Sequence, residues 1–270
     1  MLTSMNSVLS VEPEANIIFC SDNNSDISSV ENINLIKIES KLTKKVKEID
    51  YFKGEKNPLW STSLLRIFYL LDASKSLKIN NFVHFDTDVM VYKPVESLNS
   101  FFDNKKFNIT SLNELDLIFS YSITKNLECY EEICEKVLKI LENPVFYEKK
   151  YYESKKLNEM MLLNIVYIEN RHLFNILPSI PTIENNKKII FDSVTYGQYI
   201  SGVHNSLFSK KIIEENSYVG RFILREAPEI KFKKIPFIKH NDHRYDLANL
   251  HVHSKKLDQY LPENYKCYIN

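Results

Sequence analysis

The sequence predicts an α/β protein on three observations. Strand-like and helix-like segments alternate through its first half, the pattern of a layered α/β fold. No internal repeat and no Pro- or Ser-rich linker divides the chain, so residues 1–270 read as one domain with a helical and loop insertion around 115–170. At 270 residues, 44% hydrophobic and 12% aromatic, the chain is long enough to bury a sizeable core.

The elements follow in order. Met1 to Leu9 reads as a helix. Asn16 to Cys20 is a short apolar, β-branched run closed by Ser-Asp-Asn-Asn, and Ile33 to Ile38 is another; both read as buried strands. Ser61 to Asp72 opens with hydroxyl caps and sets Leu64, Leu65, Phe68 and Leu71 at helical spacing. Phe82-Val-His-Phe-Asp86 is the clearest strand, with Val83 and Phe85 on one face and His84, Asp86 and Asp88 on the other if the chain stays extended. Ile133, Val137, Leu138 and Leu141 stripe a helix over 131–142, and the Tyr/Lys-rich stretch 147–156 reads as a mobile loop. Leu157 to Asn170 is a more apolar helix with Asn158 as its cap. After Asp192 the pattern weakens until Leu250-His-Val-His253, whose alternation puts His251 and His253 on one strand face.

Composition excludes several functions. Lys+Arg and Asp+Glu are 35 each, so no net field draws a polyanion and nucleic-acid binding is not expected. The four glycines, Gly54, Gly197, Gly202 and Gly220, are too dispersed for a dinucleotide-binding turn or a phosphate-binding loop. The four cysteines have neither metal-site spacing nor disulfide-scaffold density and read as reduced thiols. No run approaches the roughly 18 to 20 apolar residues that span a bilayer, and no basic-then-apolar leader opens the chain. The expectation is a soluble cytoplasmic protein without a transmembrane segment.

The chemistry concentrates in Asp86-Thr-Asp88. Two carboxylates just past an apolar strand suit a hard cation, Mg²⁺ or Mn²⁺, that also holds a phosphate. Their structural alternative is a strand-to-turn junction whose aspartates bond loop amides. Arg66 stands inside an otherwise apolar helix, where a guanidinium needs a partner; a donor phosphate or the Asp86 carboxylate fits, and snorkelling to the surface is the alternative.

Phe82-Val-His-Phe-Asp86-Thr-Asp88-Val-Met-Val-Tyr-Lys-Pro94 resembles the DxD region of GT-A-fold nucleotide-sugar glycosyltransferases of the DxD sugar-binding-region type. The resemblance extends to Trp60-Ser-Thr-Ser-Leu-Leu-Arg66 upstream. Downstream it takes in Asn158-Glu-Met-Met-Leu-Leu163, Phe191-Asp-Ser-Val-Thr-Tyr-Gly197-Gln-Tyr199 and Asn249-Leu-His-Val-His-Ser-Lys255, so that it covers roughly 58–256. It implies a GT-A-like (Rossmann-like) domain, a mixed sheet flanked by helices, that moves a sugar from a nucleotide-diphosphate donor to a glycan or other hydroxyl acceptor, with retention of configuration weakly favoured. Asp86 would contact the donor or its metal, Asp88 would ligate Mn²⁺ (or Mg²⁺), and a C-terminal histidine, His253 in preference to His251, would complete the set. Arg66 and Lys255 would assist at the diphosphate.

On the acceptor side, Asp192 is expected as a base, its alternative being a hydrogen-bonded loop cap, and Gln198 as a sugar contact, exposed by a tight turn at Gly197. Glu159 is expected as an acceptor contact, its alternative being a favourable charge in the first turn of a helix. Such domains usually open with a strand before the helix that Met1 to Leu9 resembles, so the first strand is expected to be missing. The competing readings are a non-catalytic sugar-nucleotide- or glycan-binding module and a haloacid-dehalogenase-like phosphatase, from whose motif Met90 departs.

Overall fold

A computed structural model describes residues 1–21, 27–28, 30–51, 58–182, 188–201, 215–233, 235–252 and 256–269. The chain opens with helix α1 (Leu2–Val11), followed by β1 (Ile18–Ser21) and β2 (Glu31–Asn34), which pair in parallel. The expected strand 33–38 ends early because the Asn34 side chain accepts the N–H groups of Ile36 and Lys37, turning the chain into the short helix α2 (Leu35–Ile38). Ser40 caps α3 (Lys41–Glu48) in the same way.

Helix α4 (Pro58–Leu77) contains the expected 61–72 segment and runs to β3 (Phe82–Phe85). The chain turns at Asp86 to Asp88, resumes as β4 (Val89–Val91) and passes through α5 (Val95–Leu98). β5 (Phe107–Ser111) and β6 (Leu117–Thr124) come next. The span 115–170 therefore begins with a fully buried eight-residue strand and is not helices and loops throughout. Three helices follow, α6 (Leu127–Glu142), α7 (Pro144–Tyr151) and α8 (Glu159–Glu169). Much of the expected mobile loop is thus helix: Pro144 starts α7 at the position where a missing N–H costs nothing, and Glu148 and Lys150 bond Tyr51 and Glu169. Asn158 caps α8 by accepting from Met161 N–H, as its sequence predicts.

The remaining elements are β7 (Phe174–Ile176), β8 (Ile189–Ile190), α9 (Thr195–Ser201), α10 (Tyr218–Glu226), β9 (Glu229–Phe232), β10 (Pro236–His240), β11 (His243–Leu247) and β12 (Asn249–His251). One mixed sheet has the order β3-β6-β5-β7, with β7 parallel to β5 and the other pairs antiparallel. A second has the order β8-β11-β10-β9, and the β4–β12 ribbon lies between them, its ends tied by Ala248 N–H to Ile190 O.

The first sheet is buried on both faces, its polar Asn108, Thr110, Ser120, Ser122 and Thr124 included. On one side Ile67 and Phe68 of α4, Ile133 and Val137 of α6, and Leu162 and Ile165 of α8 pack on Phe107, Ile109 and Phe119. On the other, Val83, Phe85, Tyr121 and Ile123 meet Val89, Val91 and Phe191. β6 changes face partway: a bulge shifts the register between Ile109↔Ser122 and Thr110↔Ile118, so Phe119 points into the helix side and Tyr121 into the opposite core. Cys129 and Cys134 are buried free thiols. Among the described residues no helix is long and apolar enough to cross a membrane.

Candidate functional site

The β6 bulge positions the carboxylate turn. Asp86 N–H donates to Ser120 O at 2.9 Å, which ends β3 and swings the chain into a turn closed by Val89 N–H on Asp86 O at 3.0 Å. The two aspartates therefore come from a turn and not from one face of an extended strand. The turn is backed from the N-terminal side by α1, where Ser4 Oγ donates to Val89 O and Ser7 Oγ accepts from Val91 N–H at 3.0 Å. A helix occupies this flank of β4, where the sequence leaves the usual first strand unaccounted for.

His251 arrives by register. β12 pairs antiparallel with β4, His251 opposite Val89, and Val252 N–H donates to Asp88 O at 2.9 Å. His251 Nε2 then lies 3.3 Å from Asp88 Oδ1, and the ligand-type atoms of Asp86, Asp88 and His251 all fall within 4.8 Å of one another. His251 Nδ1 is 3.4 Å from the carbonyl oxygen of Ser193, which can only accept. Each ring nitrogen thus faces an acceptor; with Nδ1–H donated to Ser193, the Nε2 lone pair faces the Asp88 carboxylate, an arrangement that calls for a proton or a cation between the two. Burial lowers the His251 pKa, but the neighbouring Asp88 and Asp86 outweigh it and hold the ring above the usual imidazole range. The donor set, two carboxylate oxygens and one imidazole nitrogen, suits Mn²⁺ or Mg²⁺ with positions left for other ligands. His253 and Lys255 lie outside the described residues.

Arg66 joins the site from α4. Its guanidinium pairs with Asp86 Oδ1 and, at 2.9 Å, with Glu159 Oε1 at the start of α8, and it lies 5.2 Å from the centroid of the Phe119 ring. The snorkelling alternative does not apply, because Asp86 and Glu159 satisfy the charge inside the cleft. Glu159, expected to meet an acceptor, lines the cleft and pairs through Oε1 with Arg66; it is buried, which pushes its carboxyl up to about 7. His84, stacked on Phe119 with Nε2 3.5 Å from Asp86, was not singled out as a site residue. Burial, reinforced by Arg66, lowers its pKa to about 4, so it stays neutral. Its place in the 82–86 strand, on the Asp86 face, was the available signal.

Asp192 requires a correction. It does follow a short strand, β8, but it is fully buried and does not line the cleft. Its Oδ1 accepts Tyr196 N–H at 3.0 Å, and its Oδ2 accepts Gly197 N–H and His251 N–H, each at 2.9 Å. With both oxygens committed to main-chain donors it presents none to an acceptor hydroxyl. Burial nonetheless pushes its carboxyl up to about 6. Gly197 does not make a tight turn either. It lies inside α9, where a Cβ would come within 1.9 Å of His251 O, so only glycine lets this helix rest on β12. Gln198, the next residue, is half-buried and lines the cleft.

The cleft has a volume of about 1740 Å³, and its walls include Arg66, Asp86, Asp88, Glu159, Gln198 and His251. Trp60 and Leu59, both exposed, stand at the start of α4 on the same cavity.

No protein-family model matches the sequence, and no curated protein matches it. Among solved structures, the apo form of mouse xyloside xylosyltransferase 1 is similar at a TM-score of 0.44 and 13% identity, over 66% of this chain and 80% of that one.

Proposed function

We propose that this chain is a GT-A-like, metal-dependent glycosyltransferase that moves a sugar from a nucleoside-diphosphate donor to a hydroxyl acceptor. The observation that carries this reading is the convergence of Asp86, Asp88 and His251 within 4.8 Å on the wall of a large cleft. A divalent cation bound there would supply Lewis-acid neutralisation of a leaving diphosphate. Asp88 and His251 would hold it, with Asp86 shared between the cation and Arg66. Arg66, already in the cleft, would add positive charge where negative charge develops on the departing phosphates. Gln198 would hydrogen-bond the sugar or acceptor.

A thermal-shift panel of nucleoside diphosphates with and without Mn²⁺ tests the reading. Selective stabilisation by one base, dependent on the metal and lost in Asp88→Asn, is expected. Incubation with nucleotide sugars then separates the competing chemistries. Release of nucleoside diphosphate supports a transferase, whereas release of inorganic phosphate from a monoester indicates a phosphatase. Binding without either reaction indicates a non-catalytic module.

A further inference from the structure

The Asp192 carboxylate accepts three main-chain hydrogen bonds, yet the residue does not line the cleft. Its three donors belong to two elements: Tyr196 and Gly197 to the first turns of α9, and His251 to β12. The Asn249 side chain closes the arrangement by accepting Asp192 N–H at 3.2 Å and donating to Asp192 O at 3.0 Å. Ser193, the next residue, offers its carbonyl to His251 Nδ1. The His251 main chain is thus held by Asp192 Oδ2, its ring is met by the Ser193 carbonyl, and the missing Cβ of Gly197 lets α9 close against its carbonyl oxygen.

We propose that Asp192 is the positioning residue of the site: its carboxylate locks β12 onto α9 so that His251 keeps its Nδ1–H tautomer and presents Nε2 to Asp86 and Asp88. This rests on the metal-site reading for its purpose, but the locking itself is a property of the metal-free protein. Every donor to the carboxylate is a main-chain N–H, so the lock has one geometry and few ways to relax. Outer partners of this kind set ligand orientation, and their loss costs about 10- to 100-fold in metal affinity. Asp192→Asn is the informative change. The amide keeps the shape, but its NH₂ must confront a main-chain N–H that the carboxylate accepted.

The test is long-range ¹H–¹⁵N NMR of the histidine rings in metal-free protein, in alkaline buffer where imidazoles are neutral, with His251 assigned through His251→Gln. Calorimetry with Mn²⁺ alone accompanies it. The expected wild-type ring is the fixed Nδ1–H tautomer. In Asp192→Asn the ring should average between tautomers and the Mn²⁺ affinity should fall about 10- to 100-fold. A wild-type ring protonated on Nε2 overturns the proposal, and so does an Asp192→Asn variant with an unchanged ring spectrum and unchanged Mn²⁺ affinity. If the wild type shows the locked tautomer, loses it in Asp192→Asn, and has no Mn²⁺ affinity in any form, the positioning role stands and the proposed function fails. Should Asp192→Asn not fold, Asp192→Glu keeps the charge but displaces the carboxylate oxygens from the three main-chain N–H groups. A loosened His251 ring in that variant supports the assignment, and an unchanged ring overturns it.

Discussion

Asp86 and Asp192 occupy equivalent places in the sequence, each at the end of a short apolar strand, and the fold gives them opposite environments. Asp86 opens on the cleft with 23% of its side chain exposed, and its partners are the side chains of Arg66 and His84. Asp192 is sealed at 0% exposure, and its carboxylate partners are main-chain N–H groups. Side-chain partners can turn away and admit a ligand, because rotamers change without disturbing the backbone. Main-chain partners cannot leave without moving a helix or a strand. The difference separates a carboxylate available for chemistry from one that fixes geometry.

The comparison is broken most severely at Asp192. Asp192→Ala orphans three buried N–H donors and should cost about 4 kcal/mol of stability by urea denaturation, whereas a change under about 1 kcal/mol would show that water takes over the donors. His84 sharpens the cleft side through pH. Its pKa falls from 6.5 in the unfolded chain to about 4 in the fold, so it favours folding above 6.5 and loses that contribution as the pH falls through about 4. Between those values the wild type should lose about 3 kcal/mol more than His84→Phe in parallel denaturation curves.

Arg66 comes next. Arg66→Met leaves the Glu159 carboxylate buried without its cation, and adding Glu159→Gln should recover stability, giving a coupling of about 2 kcal/mol in a double-mutant cycle. Additive single effects would mean that Arg66 and Glu159 are independent. The smallest effect is expected at Asp86, whose replacement by alanine should change stability by no more than about 1 kcal/mol, since the position faces solvent and Arg66 keeps Glu159. Metal-dependent nucleotide binding should nevertheless be lost in that variant.

The sequence by itself determined the elements whose signal is local. Apolar spacing placed α4, although the hydroxyls at 61–63 read as its caps lie inside the helix, which starts at Pro58; Asn158 placed the start of α8, and the apolar run 82–85 ending in two carboxylates placed β3 and the candidate cation turn. Alternation after Asn249 marked β12 and its histidine. Where local signals conflicted they misled: the strand expected over 33–38 yields to the Asn34 cap, and the first half of the polar 147–156 stretch is helix, with Tyr51 and Glu169 bonding it from elsewhere in the chain. β6 is buried along its whole length, Ser120, Ser122 and Thr124 included, so residue type alone does not mark it as a core strand.

Tertiary structure alone decided which charges meet. Arg66 and Glu159 are 93 positions apart, and Asp192 and His251 are 59 apart. Nothing in either segment specifies the other, because pairing depends on how α4 packs against α8 and on the register of β12 against β4. The same holds for Gly197, whose need for a bare Cα comes from a carbonyl oxygen 54 residues downstream that only the folded chain brings within 1.9 Å of its absent Cβ. Local chemistry wrote the carboxylates, the arginine and the histidine into the sequence. Which carboxylate faces the cleft and which is sealed follows from long-range main-chain hydrogen bonds, for which side-chain patterns carry no code.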